Sequence, residues 1–215
     1  MTGLKRELGA ADGGPSPRIK PVALHWFDFI CPFCYVSQDR DDILIAAGFD
    51  VVDLPFQAHP EIPARGIRVG PRQGPMYDQL ERQARDAGLI LNWPDRLPNS
   101  RTALAASAWA RRRYPGIAGQ FNARLFAAHF ALGHDLGDAS VVMRYASELG
   151  VDVGMLENAL ADGSAFQYVS EAEARAHEHD VRGTPAWFLR GSVIEGVIPA
   201  EEFRRRVEKT SGERA

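Results

Sequence analysis

The chain of 215 residues has two cysteines, and both lie in DFICPFCYVS (28–37), as Cys31 and Cys34 with Pro32 and Phe33 between them. A Cys-x-x-Cys pair can hold half a metal site, act as a staple, lie inert in a core, or exchange disulfides. A closed zinc site needs two further nitrogen or sulfur ligands, and no third cysteine exists to supply one. His177 and His179 are two apart, so on a helix they point in nearly opposite directions. No metal is therefore expected. A bridge between Cys31 and Cys34 would close so short a loop that it hardly constrains the unfolded chain, which makes it a poor staple. Thiol–disulfide exchange is the chemistry that uses both sulfurs at this spacing.

Exchange needs a thiolate, and the flanking sequence offers a way to make one. PVALHWFDFI (21–30) is a nearly continuous apolar and aromatic run, the pattern of a strand buried on both faces. Beyond it Tyr35, Val36, Ile43, Leu44 and Ala47 follow a helical spacing that stops at Gly48. Cys31 then falls at a strand-to-helix junction, where unpaired backbone N–H groups and the positive end of the dipole favour a thiolate. Pro32 suits the first helical turn, where its missing N–H costs nothing. The dipole is worth at most about 2 kcal/mol, or roughly 1.5 pKa units, which takes a thiol from about 8.5 to about 7. Phe33 has no hydrogen bond to add. Cys31 reads as the attacking thiol and Cys34, one turn on and deeper, as the resolving one.

FDVVDLPF (49–56) is a second strand, so strand, helix and strand form a unit in which a parallel pair is expected. Segment 59–98 is an irregular excursion rich in proline and glycine, with one helical candidate at Met76–Ala87. Helices are expected over Arg101–Arg113 and Ile117–Leu132, then after caps at Asp138, Asp152 and Ser164. TPAWFLR (184–190) and SVIEGVI (192–198) read as strands joined tightly at Gly191, followed by a charged amphipathic helix, Glu201–Lys209. Phe126 and Phe130 suggest an exposed apolar helix face, so monomer and homodimer both stay open.

Hydrophobic residues make up 45% and charged residues 25%, the balance of a soluble globular chain. A net charge of −3 gives no electrostatic footprint for nucleic acid, and Arg111, Arg112 and Arg113 read as a solvated helix end. No apolar run is long enough to span a membrane, and the first twenty residues lack a signal-peptide core. A cytoplasmic location is expected.

A Cys-x-x-Cys after a buried strand, with a late Thr-Pro ahead of another strand, resembles the thioredoxin fold. The helical block between the two halves resembles the DsbA family. DFICPFCY and LPNSRTALAASAWA (97–110) are most similar to its FrnE-like branch, related to kappa-class glutathione transferases and 2-hydroxychromene-2-carboxylate isomerases. Segments 125–152 and 183–203 extend the likeness over roughly residues 22 to 208. The fold class this implies is α/β, a thioredoxin-like fold with an inserted all-helical domain. The expected division is a flexible N-terminal tail at 1–20, a thioredoxin-like domain at 21–64 and 165–210, the helical domain at 65–164, and a C-terminal tail at 211–215.

The resemblance also implies roles. Pro185 would be a cis-proline beside the cysteine pair, letting Thr184 offer its N–H and C=O to an extended substrate. Pro32, Phe33, Thr184, Pro185 and Asn99 are the expected substrate contacts, although Asn99 or Ser100 could equally cap a helix. Thioredoxin-like proteins often carry an acid six positions before the first cysteine as proton acceptor. Here that position is His25, with Asp28 three residues nearer. His25 is the candidate acceptor, and a strand histidine bonded to a carbonyl is the alternative. No cofactor is implied beyond the redox-active disulfide, with glutathione left open as co-substrate. The expected function is a thiol–disulfide oxidoreductase acting on protein or small-molecule disulfides, with a couple less oxidising than DsbA. The alternatives are a glutathione-dependent isomerase or transferase, whose relatives place serine where this chain has Cys31, and a non-catalytic binding protein.

Overall fold

The computed structural model describes residues 20–212. The tails expected at 1–20 and 211–215 lie outside these residues except for Lys20 and the last helical positions, 211 and 212. In chain order, β1 (Val22–Phe27) leads to α1 (Pro32–Val36), α2 (Asp39–Ala46) and β2 (Asp50–Pro55). Two-residue strands β3 (Ile67–Arg68) and β4 (Arg96–Leu97) flank α3 (Pro75–Asp86). Then come α4 (Arg101–Arg113), α5 (Ala118–Phe130), α6 (Ala139–Ser147), α7 (Val153–Ala161) and α8 (Ser164–Glu178). The chain closes with β5 (Ala186–Leu189), β6 (Ser192–Glu195) and α9 (Ala200–Gly212).

β1 is shorter than the apolar run announcing it because the chain turns at Asp28, whose carbonyl accepts the Cys31 N–H at 3.1 Å. The single helix expected beyond the cysteines is two. Ser37 Oγ donates to the Phe33 carbonyl at 2.8 Å, a local bond that competes with helical continuation, and the axis breaks between Val36 and Asp39. Gly48, at φ +87°, ends α2 as the sequence suggests. Asp138 and Asp152 cap α6 and α7 by accepting the Ser140 and Met155 N–H groups at 2.8 and 3.0 Å. Ser164 is the first residue of α8 rather than its cap, a place taken by Gly163. β3 pairs with β4 antiparallel and ties the excursion together at its base, a pairing too short to leave a pattern in the sequence.

The main sheet runs β2-β1-β5-β6, with β1 parallel to β2 and antiparallel to β5. Its central strand is the one that ends at the cysteines. Alternation along β1 divides the burial. Ala23 joins Leu44, Phe49, Trp187, Phe203 and Val207 under α2 and α9. Leu24 and Trp26 join Leu54, Ala172 and Ala176 under α8, where Trp26 Nε1 also donates to the Ala172 carbonyl at 2.9 Å. This is the thioredoxin-like arrangement.

Beyond the sheet, Phe27, Phe29, Cys34 and Tyr35 share a third core with Trp109, Phe121, Leu125, Phe126 and Phe130 from the helical block. Phe126 and Phe130 are only 4% and 1% exposed. Phe126 meets Phe29 edge-on at 5.0 Å, and Phe130 stacks on Tyr35 at 4.8 Å. The apolar stripe that suggested a dimer face is consumed inside the molecule. In the arginine run, Arg112 and Arg113 are exposed as expected, lying 4.0 Å over the Tyr168 ring and 5.0 Å over Trp109, while Arg111 is half-buried and lines a cavity. No helix among the described residues is long and apolar enough to cross a membrane.

Candidate active site

Cys31 is the N-cap of α1, with Pro32 at the first helical position, so the strand-to-helix junction stands where the sequence places it. Cys31 is half-buried and Cys34 is buried beneath it, at 2% exposure. Cys31 Sγ donates to the Thr184 carbonyl at 3.3 Å, and the Thr184–Pro185 peptide is cis. The Cys31 thiol is held below its ordinary value, chiefly by a hydrogen bond from the Cys34 thiol, while burial works in the opposite direction. The Thr184 hydroxyl is buried beside the pair with no hydrogen-bond partner. Cys34 is pushed well above its ordinary value, first by burial and then by Cys31. The two sulfurs are thus unequal, one shifted toward the thiolate and the other kept protonated. Among the local contacts the neighbouring thiol leads the lowering, and the backbone at Cys34, in the first turn of α1, adds to it.

Asp28 is the carboxyl that acts on this pair. It is fully buried, accepts the Ala58 N–H at Oδ2 (2.9 Å) and the Ile30 N–H at Oδ1 (3.3 Å), and its negative charge opposes ionisation of Cys31. Burial raises its pKa to about 6 despite those donors. The sequence names Asp28 only as a neighbour of the candidate acceptor. His25, the candidate itself, is engaged elsewhere. Its Nδ1 lies 2.9 Å from Asp41 Oδ2 and 3.0 Å from Asp53 Oδ1, and its ring stacks on Trp187 at 4.7 Å. Burial disfavours its charged form, yet the two carboxylates outweigh burial and raise its pKa to about 10. A group so basic is a poor shuttle at neutral pH. The strand-carbonyl alternative is not realised either, since both partners are carboxylates. Pairing explains the difference, because β1–β2 register sets His25 directly opposite Asp53.

Asn99 is also occupied. It donates to the Ile62 carbonyl at 2.6 Å and accepts from Gln57 Nε2 and the Arg101 N–H, both at 3.0 Å. It fastens the excursion to the start of α4, and it does not line the cavity above Cys31. Ser100, not Asn99, is the N-cap of α4, and its side chain makes no capping hydrogen bond.

That cavity, about 410 Å³, has Cys31, Pro32, Phe33 and Thr184 on one side. Met76, Tyr77, Trp93, Pro94 and Leu97 come from the excursion, and Phe130 from α5. Its cationic wall residues are Arg72 and Arg182, and Arg72 also lies 5.9 Å over the Tyr77 ring. Sequence reasoning found the floor and missed these walls. Aromatic residues at 77 and 93 close together in a proline-rich excursion are the one sequence signal that could have pointed there.

The chain matches the DSBA-like thioredoxin domain family over residues 24–208. Its structure is similar to that described as a probable DsbA oxidoreductase, SCO1869, of Streptomyces coelicolor: TM-score 0.78, 24% identity, 91% of this chain and 92% of that one. It is similar to a 2-hydroxychromene-2-carboxylate isomerase at TM-score 0.70 and 21% identity, covering 89% and 95% of the two chains. It is also similar to the cytosolic disulfide reductase DsbM of Pseudomonas aeruginosa, solved with glutathione, at TM-score 0.59 and 16% identity over 88% and 98%. These likenesses agree in fold, and the match over most of the length supplies the family. A Cys-x-x-Cys at the start of α1 beside the Thr184–Pro185 peptide, with a helical block between the two, marks this chain as a member of the DSBA-like thioredoxin domain family.

Proposed function

We propose that the chain is a dithiol–disulfide oxidoreductase whose preferred substrates are small disulfides bearing a carboxylate, glutathione disulfide among them. The observation that carries this reading is the unequal thiol pair on the floor of an apolar cavity with two arginines in its wall. The Cys31 thiolate attacks one sulfur of the substrate disulfide, forming a mixed disulfide and expelling the other half as a thiolate. Cys34 loses its proton and attacks Cys31 Sγ, which expels the second half and leaves Cys31–Cys34 as a disulfide. Two electrons have passed to the substrate, and a dithiol or two monothiols must return them. Asp28, buried and with its pKa raised to about 6, serves in this reading as the acceptor of the Cys34 proton. A cavity of this size suits a tripeptide-sized ligand better than a folded protein loop. A cytoplasmic location, rich in reduced glutathione, fits this direction of flow.

Turnover of glutathione disulfide tests the proposal. Cys31→Ser is expected to abolish it, and Cys34→Ser to accumulate a glutathione adduct on Cys31 visible by mass. Undiminished turnover in Cys31→Ser would sink it. The aromatic walls favour one second reading, a glutathione-dependent isomerase of an aromatic substrate. Glutathione binding without disulfide turnover, and isomerisation that survives Cys34→Ala, would select it.

A further inference from the structure

A second cavity, about 700 Å³, lies between β1, α2, β2 and α5 and shares no wall residue with the one above Cys31. Four aspartates line it (Asp39, Asp41, Asp42 and Asp53), with Arg111 and His25 as its basic groups. Inside it His25 Nδ1, Asp41 and Asp53 each present one donor atom, all within 4.8 Å of one another. We infer that His25, Asp41 and Asp53 form a binding site for a divalent transition-metal ion of the kind that takes mixed nitrogen and oxygen ligands, Mn²⁺ or Zn²⁺.

Geometry supports the inference first. Donors bonded to a metal at about 2.1 Å and set about 90° apart are separated by about 3.0 Å. Nδ1 stands 2.9 Å from Asp41 Oδ2 and 3.0 Å from Asp53 Oδ1, and all three donor atoms lie within 4.8 Å of one another, close enough for one ion to face all three. The remaining positions are left to the cavity, as in sites built on one face of an ion.

The surroundings orient the ligands. Asp41 Oδ1 accepts the Trp187 indole N–H at 2.9 Å, and Asp53 Oδ2 faces Asn122 Nδ2 at 3.3 Å. Each carboxylate has one oxygen tethered and the other turned to Nδ1. The imidazole is fixed between Trp187 and Phe27. Outer contacts of this kind set the aim of metal ligands.

Hydrogen bonding alone leaves the cluster incomplete. A ring nitrogen has one proton to give, and here two half-buried carboxylates share it. The other nitrogen, Nε2, is buried with no partner in a side chain only 7% exposed, and Arg111 Nε on the same wall is equally unpartnered. A doubly charged ion facing all three donors gives each carboxylate a full counter-charge. It also leaves Nε2 as a neutral N–H, which costs less to bury unpaired than a charged one. Bound there, the ion would tie β1, α2 and β2 together beneath the strand that delivers Cys31.

The test uses the full chain with Cys31→Ser and Cys34→Ser, so that no thiolate competes for metal. Calorimetric titration with MnCl₂ and with ZnCl₂ is expected to show one equivalent bound. Asp53→Asn and Asp41→Asn in that background, with folding checked by circular dichroism, should each weaken it at least about 100-fold, beyond the loss usual for an outer contact. The EPR spectrum of bound Mn²⁺ should carry a histidine-nitrogen coupling, a readout that needs no ligand variant to fold. No binding by the folded thiol-free chain, binding unmoved by either substitution, or Mn²⁺ without nitrogen coupling would each overturn the assignment.

Discussion

Cys31 Sγ and the Thr184 carbonyl oxygen stand 3.3 Å apart, a contact between the end of the first strand and the approach to the fifth. It places the attacking sulfur against the peptide that leads into the β5–β6 hairpin. Behind it lies Cys34, and in front of it the aromatic cavity opens. The half-buried sulfur therefore meets the second thiol, the 184–185 peptide and the cavity at once.

Because Cys34 is the leading cause of the lowered Cys31 value, Cys34→Ala should raise the Cys31 pKa. Loss of a hydrogen bond that favours the charged form shifts the sulfur back toward the ordinary thiol range. Thiolate absorbance against pH measures it. An unmoved inflection would return the effect to the helix end.

Asp28 gives a pH signature in stability. Its folded value is raised to about 6, so the stability it contributes is complete below its unfolded value and is lost as pH climbs through about 6. Asp28→Asn should remove that loss, a relative gain of up to about 3 kcal/mol near neutrality, since moving a pKa by one is worth about 1.4 kcal/mol. Asparagine keeps one acceptor where Asp28 serves both Ala58 and Ile30, which will reduce the gain. Urea denaturation of both proteins at about pH 4 and about pH 7.5 decides it. Parallel stabilities at the two pH values would refute the assignment.

Arg72 and Arg182 should act on substrate charge. Arg182→Ala is expected to raise KM for glutathione disulfide about tenfold, the cost of one charge-assisted hydrogen bond, with little change in kcat. Turnover of a neutral disulfide should be nearly unaffected. Equal losses on both substrates would place Arg182 in the scaffold rather than in recognition.

Phe126→Ala should cost about 3–5 kcal/mol in urea unfolding, because its ring fills the joint core with Phe29 and Tyr35. Sedimentation should show the same mass before and after. A change of mass without loss of stability would restore the surface reading of that residue.

Much of the path from sequence to site was legible because it is local. The apolar run into Cys31, Pro32 at the first helical position, the stop at Gly48 and the caps at Asp138 and Asp152 each depend on neighbours a few positions away. The three-residue spacing of the sulfurs already required one turn of helix between them. Burial of Phe126 and Phe130 was not legible, since an apolar stripe looks the same whether another chain or its own core covers it.

What the sequence determined by itself was the dithiol, its position at a helix start and the alternation that buries β1, all consequences of covalent spacing and local backbone preference. What only the tertiary structure decided was which charges face which sulfur. Strand register pairs His25 with Asp53, while the turn after β1 buries Asp28. Electrostatic effects depend on distance through space and on exclusion of water, and neither quantity is written along a chain.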